Sequence, residues 1–373
     1  MGAGDDLLIL RPGDVDLTRS PLRRSIAEPT FVLGAFNPGL TRLPSGNLLL
    51  MVRVAEALGE PVRDGAVRAV RWAEGGYRLD PYPLARVDMA DPRQFDIRGH
   101  HHRVLGLTSL SWLLPVELSA DGRRVVAVHY DRAIAPAADY QQYGVEDPRI
   151  SRIDGTYWMT TCSVGAARLC STLYRSADGL DWELMGIVLD HQNKDMILFE
   201  GRVAGRYWAL TRPLGEVWFP VPPGEPWASG PAIHFAASPD ALHWKPEDRP
   251  GIRPRAGSSS AGRIGGGSPP VLTDAGWLTL YHGVEKTESV GIYRTFWALL
   301  DRDDPATILR QADDAPLLEA SAALVAPIAD RLYLPTPVVF TTGMVDGGDH
   351  WIVASGEADL ACRMSFLPKE LFA

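Results

Sequence analysis

Glu146, Asp147 and Arg149 fall in one short stretch, "YGVEDPRI" (143–150), with Pro148 between the acids and the base. A carboxyl group can give a proton to a leaving oxygen, and a neighbouring acid and base can decide when it holds one. Pro148 predicts an extended Asp147, because a residue before proline is steered away from the helical region. The ordinary alternative is a structural pair in which Arg149 grips Glu146 or another acid. Four basic groups lie further on. Lys194 in "NKDMILFEGR" (193–202) and Arg212 in "ALTRP" (209–213) flank one turn, Arg263 sits in a Gly-rich stretch, and His282 ends "WLTLYH". Singly, each reads as a solvated surface charge. Together they hold equivalent places beside successive strand patterns, and if they converge they make an anion site suited to phosphate.

The elements that must bring these groups together are strands. A turn containing Gly, followed by an aromatic or aliphatic run, recurs as "LPSGNLLLMV" (43–52), "RIDGTYWMT" (152–160), "RVAGRYWAL" (202–210), "TDAGWLTLY" (273–281) and "VDGGDHWIVA" (345–354). Each predicts a hairpin. Between them "SADGRR" (119–124), "SADGLDW" (176–182) and "SPDALHW" (238–244) share Ser-x-Asp, in which the Asp can bond its own turn backbone. Units repeated from end to end predict an all-β chain, a five-bladed β-propeller forming one domain over residues 1–373. A two-sheet sandwich is the alternative. Two stretches read as loops, 218–231 for its prolines and 253–270 for its Gly and Ser, although the second carries three arginines.

Composition narrows the function classes. The net charge of −9 opposes non-specific nucleic-acid binding. No apolar run has the length of a membrane span, and the N-terminus lacks a secretory pattern. Cys162, Cys170 and Cys362 are too scattered for a disulfide framework or a zinc site, so no metal or cofactor is expected and the cytoplasm is the expected compartment. Assembly into a homo-oligomer is compatible with this composition. Adjacent histidines in "GHHH" (99–102) do not share a metal-binding face, and "RIGGGSPP" lacks the lysine and the context of a nucleotide loop.

The chain resembles glycoside hydrolase family 130, the β-mannoside phosphorylases and related β-mannosidases. The resemblance rests on "FNPG" (36–39) with "MVRVAE" (51–56), "YGVEDPRISRIDGTYWMT" (143–160), "NKDMILFEGRVAGRYWALTRP" (193–213) and "GGGSPPVLTDAGWLTLYHGV" (265–284), and less tightly on "LLDRDDP" (299–305) and "SGEAD" (355–359). It implies a five-bladed propeller. It implies that Asp147 is the general acid, acting through the sugar's 3-hydroxyl while phosphate attacks the anomeric carbon from the opposite face. Phosphate-binding positions then fall on Lys194, Arg212, Arg263 and His282, all cationic or able to become so. Sugar contacts fall on Asn37, Arg53 and Asp359, and Glu146 and Arg149 fix Asp147 and its protonation state. One protein carboxylate suffices, because phosphate is itself a competent nucleophile.

The expected reaction is phosphorolysis of a β-mannoside oligosaccharide, with inversion, to α-mannose 1-phosphate; inorganic phosphate is the co-substrate. The alternatives are an inverting β-mannosidase, whose water-activating base would be Asp195, Glu200 or Glu216, and a non-catalytic sugar-binding propeller. Three positions depart from the family pattern. Glu200 stands where proline is usual, Thr211 where histidine is usual, and "ASG" (354–356) replaces a Tyr-Tyr-Gly.

Overall fold

A computed structural model describes residues 5–23, 26–89, 94–215, 217–287, 290–334 and 336–372. The described chain is all-β. Its one α-helix, Ala322–Val325, is a single turn. All five Gly-containing turns close antiparallel hairpins. Thr30–Arg42 pairs with Leu48–Leu58, Gly144–Ile153 with Thr156–Val164, and Asn193–Val203 with Arg206–Pro213. Val271–Thr273 pairs with Gly276–Glu285, and Val339–Asp346 with His350–Glu357. The Ser-x-Asp turns also form as expected. In each the Ser hydroxyl bonds the Asp carboxylate (Ser119 to Asp121, Ser176 to Asp178, Ser238 to Asp240), and the Asp accepts backbone N–H groups of the following residues.

The strands form six sheets among the described residues. An eight-stranded sheet is two antiparallel groups joined by one parallel residue pair, Ser111 with Gly144. A four-stranded sheet starts at Asn193–Val203, and a five-stranded sheet is built on Gly276–Glu285. In a further four-stranded sheet the N-terminal strand Leu7–Leu10 pairs with Ala361–Pro368, so the chain's two ends share one sheet. Two small three-stranded sheets lie between Leu58 and Ser109.

The core is distributed in several apolar clusters. One joins Leu48, Leu50, Val52 and Trp112 with Ile352 and Met364. Another joins Phe199, Phe235, Tyr281 and Phe296. At about 25 cal/mol per Å² of buried apolar surface, such clusters hold each sheet to its neighbours. The segment 218–231 carries no strand beyond an isolated bridge at Trp227, as expected for its prolines. The expectation of a loop over 253–270 needs correction, because Arg263–Gly266 is a strand paired with Gly276–Glu285. Its glycines serve close packing. A Cβ on Gly265 would lie 2.5 Å from both Asp195 Oδ2 and His282 Cε1.

Candidate active site

Three strands share one irregularity. The ladder slips between Phe36 and Gly39, between Glu146 and Arg149, and between Lys194 and Ile197. In each bulge an Asn or Asp adopts the left-handed conformation: Asn37 at φ +48°, Asp147 at +50° and Asp195 at +54°. Short polar side chains tolerate this region best. Asp147 is therefore not extended, as Pro148 suggested. The proline disfavours the right-handed helical region, and the bulge resolves the conflict by turning the residue left-handed. Asp359, at φ +51°, follows the same rule near the C-terminus.

These residues meet at a cavity of about 640 Å³. Asn37, Arg53, Glu146, Asp147, Lys194, Arg212, Arg263, His282 and Asp359 all line it. Arg149 does not line it and lies behind the wall, 1% exposed. It does not pair with Glu146. Its Nε donates to the Gly267 carbonyl (2.7 Å), its Nη1 to the Asp147 carbonyl (2.8 Å), and its Nη2 faces Asp195 at 3.6 Å. It thus tethers the Asp147 backbone to Gly267, just past the strand Arg263–Gly266.

One half of the cavity is a closed network around Asp147. Arg53 Nη1 and Asn37 Nδ2 both donate to Asp147 Oδ1 at 2.9 Å. Arg53 Nη2 donates to Glu146 (2.7 Å) and its Nε to Ser111 (3.0 Å), while its guanidinium lies 4.8 Å from the centre of the Phe36 ring. Lys194 reaches the other Glu146 oxygen at 3.4 Å. Gly356, within the departing "ASG", makes room for this network, since a Cβ there would lie 2.0 Å from Asn37 Oδ1. Burial alone would raise the Asp147 pKa, but Arg53, then Lys194 and Arg149, hold it below the usual carboxylate range. Burial likewise opposes the charge on Lys194, and Glu146, Cys162 and Asp147 together outweigh it, keeping the amine protonated.

The other half is organised by Asp195. Its carboxylate meets Arg212 at 2.9 Å, Arg149 at 3.6 Å and His282 at 3.7 Å. Arg263 bonds the Tyr293 hydroxyl and has no carboxylate partner among the described residues. His282 packs 4.6 Å from the Phe340 ring centre, fully buried. Burial pushes its pKa down to about 3, so the imidazole is neutral rather than cationic. Of the four groups expected to be cationic or able to become so, His282 is therefore the one that offers a neutral N–H beside Lys194, Arg212 and Arg263. Arg212 Nε, Arg263 Nε and both His282 ring nitrogens have no hydrogen-bond partner among the described residues.

Other groups were not legible as site residues. The sequence offers Asp195 only as a water-activating base, yet it is buried and held ionised by Arg212, with His282 and Arg149, against the penalty of burial. Glu200, raised by burial to about 7, does not line the cavity, and Glu216 lies outside the described residues. The cavity also takes Gln94, Asp96, Arg103, Leu105 and Leu107 from an inserted sheet, which no motif announced. Among the described residues no group of His, Cys, Asp and Glu is arranged to hold a metal ion.

The family model of glycoside hydrolase family 130, described as beta-1,4-mannooligosaccharide phosphorylase, matches residues 108–372, and the chain belongs to this family. It is 30% identical over 350 residues to a beta-1,2-mannobiose phosphorylase of Listeria innocua, covering 90% of this chain and 89% of that protein. A 1,2-beta-oligomannan phosphorylase of Thermoanaerobacter is 31% identical over 229 residues, 60% of this chain and 68% of that protein. The solved structure of the Listeria innocua enzyme with beta-1,2-mannobiose superposes with a TM-score of 0.79 at 27% identity, covering 98% of both chains.

Proposed function

We propose that this enzyme is an inverting β-mannoside phosphorylase acting on β-1,2-linked manno-oligosaccharides, releasing α-mannose 1-phosphate and a shortened sugar. The β-1,2 linkage is supported by the Listeria innocua and Thermoanaerobacter relatives, although the family model is named for β-1,4 substrates. In this reading the five larger strand groups are blades of a single propeller domain and the cavity is its axial funnel. The observation that carries the function is the pairing within one cavity of a positioned carboxyl, Asp147, with a cluster of unpartnered donors on Arg212, Arg263 and His282.

The division of labour follows from charge. Asn37 and Arg53 orient Asp147, which protonates the leaving oxygen through the sugar's 3-hydroxyl; Asp359 binds the sugar alongside them. Lys194, Arg212, Arg263 and His282 receive phosphate, which attacks the anomeric carbon from the far side. In the free protein Asp147 is ionised. A phosphate brings negative charge against Lys194 and so weakens the field holding Asp147 deprotonated, which favours the acid form when both substrates are present. Glu146 spans Arg53 and Lys194 and carries this coupling between the two halves.

The hydrolase reading needs a carboxylate free to activate water. Asp195 is committed to Arg212, and Glu200 is away from the cavity. Incubation with β-1,2- and β-1,4-mannobiose, with and without phosphate, separates the readings. Phosphate-dependent mannose 1-phosphate from the β-1,2 substrate supports the proposal; phosphate-independent mannose supports hydrolysis; no turnover supports a binding protein.

A further inference from the structure

The strands Leu48–Leu58 and Ser109–Leu118 pair directly, Ala57 with Ser109, so a short turn would have joined them. The described residues between them instead build the two small sheets, and the family model begins immediately after, at residue 108. The second sheet comprises Val87–Asp88, Gln94–Ile97 and Leu105–Leu107. Strand alternation sends Gln94 and Asp96 to one face and Phe95 to the other. Phe95 is buried beneath Gly106, where a Cβ would lie 2.1 Å from the ring, so the two strands are held in close contact. The opposite face lines the cavity. There Gln94 is the cross-strand neighbour of Leu107, and Asp96 that of Leu105. Arg103 grips Asp96 with two bonds, 2.7 and 3.1 Å, and lines the cavity too.

An apolar strip bordered by hydroxyl-binding groups suits a sugar ring, which has a C–H face and a polar rim. The position of the sheet says which ring. It packs through Phe95, Ile97 and Leu107 against Tyr143 and Val164, at the open end of the hairpin whose bulge carries Asp147. The anion-binding groups come from other strands, 193–213 and 263–285. In an inverting displacement the leaving group departs on the acid's side and phosphate enters opposite. We propose that the inserted sheet of Val87–Asp88, Gln94–Ile97 and Leu105–Leu107 forms one wall of the subsite for the acceptor sugar, with Gln94, Asp96 and Arg103 selecting its hydroxyls and Leu105 and Leu107 supporting its apolar face. The assignment rests on the phosphorylase reading above.

The test runs the reaction in the synthetic direction, from mannose 1-phosphate and mannose, with wild type, Gln94→Ala and Arg103→Ala. Both side chains are partly or largely exposed, so these variants keep the fold. The expected result is an acceptor KM raised roughly tenfold, the loss of one or two hydrogen bonds, with the mannose 1-phosphate KM within about twofold of wild type. An unchanged acceptor KM in both variants, or a parallel rise of both KM values, overturns the assignment. Absence of product with wild type would instead overturn the phosphorylase reading itself.

Discussion

The two halves of the cavity contrast in how their polar groups are satisfied. Around Asp147 the contacts are short and internal: Arg53 bonds Asp147, Glu146 and Ser111, and Asn37 bonds Asp147, at 2.7–3.0 Å, with Asn37 Oδ1 left without a partner among the described residues. Around Asp195 the contacts are longer, 2.9–3.7 Å, and nitrogens of Arg212, Arg263 and His282 are left without hydrogen-bond partners among the described residues. A satisfied network is rigid and fixes a geometry, whereas unpartnered buried donors are costly unless a ligand meets them. In the proposed reaction the first half holds a carboxyl in place, and the second receives an oxyanion.

Breaking the rigid half at its centre has the largest expected effect. Asp147→Asn keeps the shape but removes the proton, and kcat should fall about 10³- to 10⁴-fold with the fold intact by circular dichroism. A variant with near wild-type turnover would remove Asp147 as the acid. Asp195→Ala leaves the buried Arg149 and Arg212 without their carboxylate, and should lower stability by about 3–5 kcal/mol in denaturant unfolding. Arg263→Ala is a cleaner probe of the anion half, because Arg263 pairs with no described carboxylate. It should raise the phosphate KM roughly 10- to 100-fold, the worth of one charge-assisted bond, with little change in the sugar KM.

The smallest expected effect concerns pH. His282 stays neutral in the fold down to about pH 3, against an ordinary value of 6.5. Below pH 6.5 the unfolded chain takes up a proton that the folded chain refuses, so this residue costs stability as pH falls. Between pH 7 and pH 5 the loss is about 2 kcal/mol, and His282→Asn should flatten that part of the stability profile. An unaltered profile would mean that the imidazole accepts a proton in place.

How far the sequence foretold these halves depended on how local each signal was. The five hairpins were legible because a Gly turn and the strand after it lie within about ten residues. The converging bases were legible because they sit beside those repeats. The bulge conformation at Asp147 was not, since proline's local preference was overridden by the ladder. It had a missed signal: Asn37, Asp147 and Asp195 each stand a similar distance ahead of a turn glycine, Gly46, Gly155 and Gly205. The strand at Arg263 was hidden because glycines needed for close approach to Asp195 and His282 look like those of a flexible loop. The second inserted sheet was hidden because its strands are two to four residues long, too short for alternation to stand out.

The division into a proton-giving half and a phosphate-receiving half is tested most directly by ³¹P NMR of the wild-type enzyme with β-1,2-mannobiose and phosphate. The expected spectrum shows α-mannose 1-phosphate appearing at the rate at which the disaccharide disappears, with no turnover when phosphate is left out. Free mannose released at an equal rate with or without phosphate, and no new phosphorus signal, would contradict it.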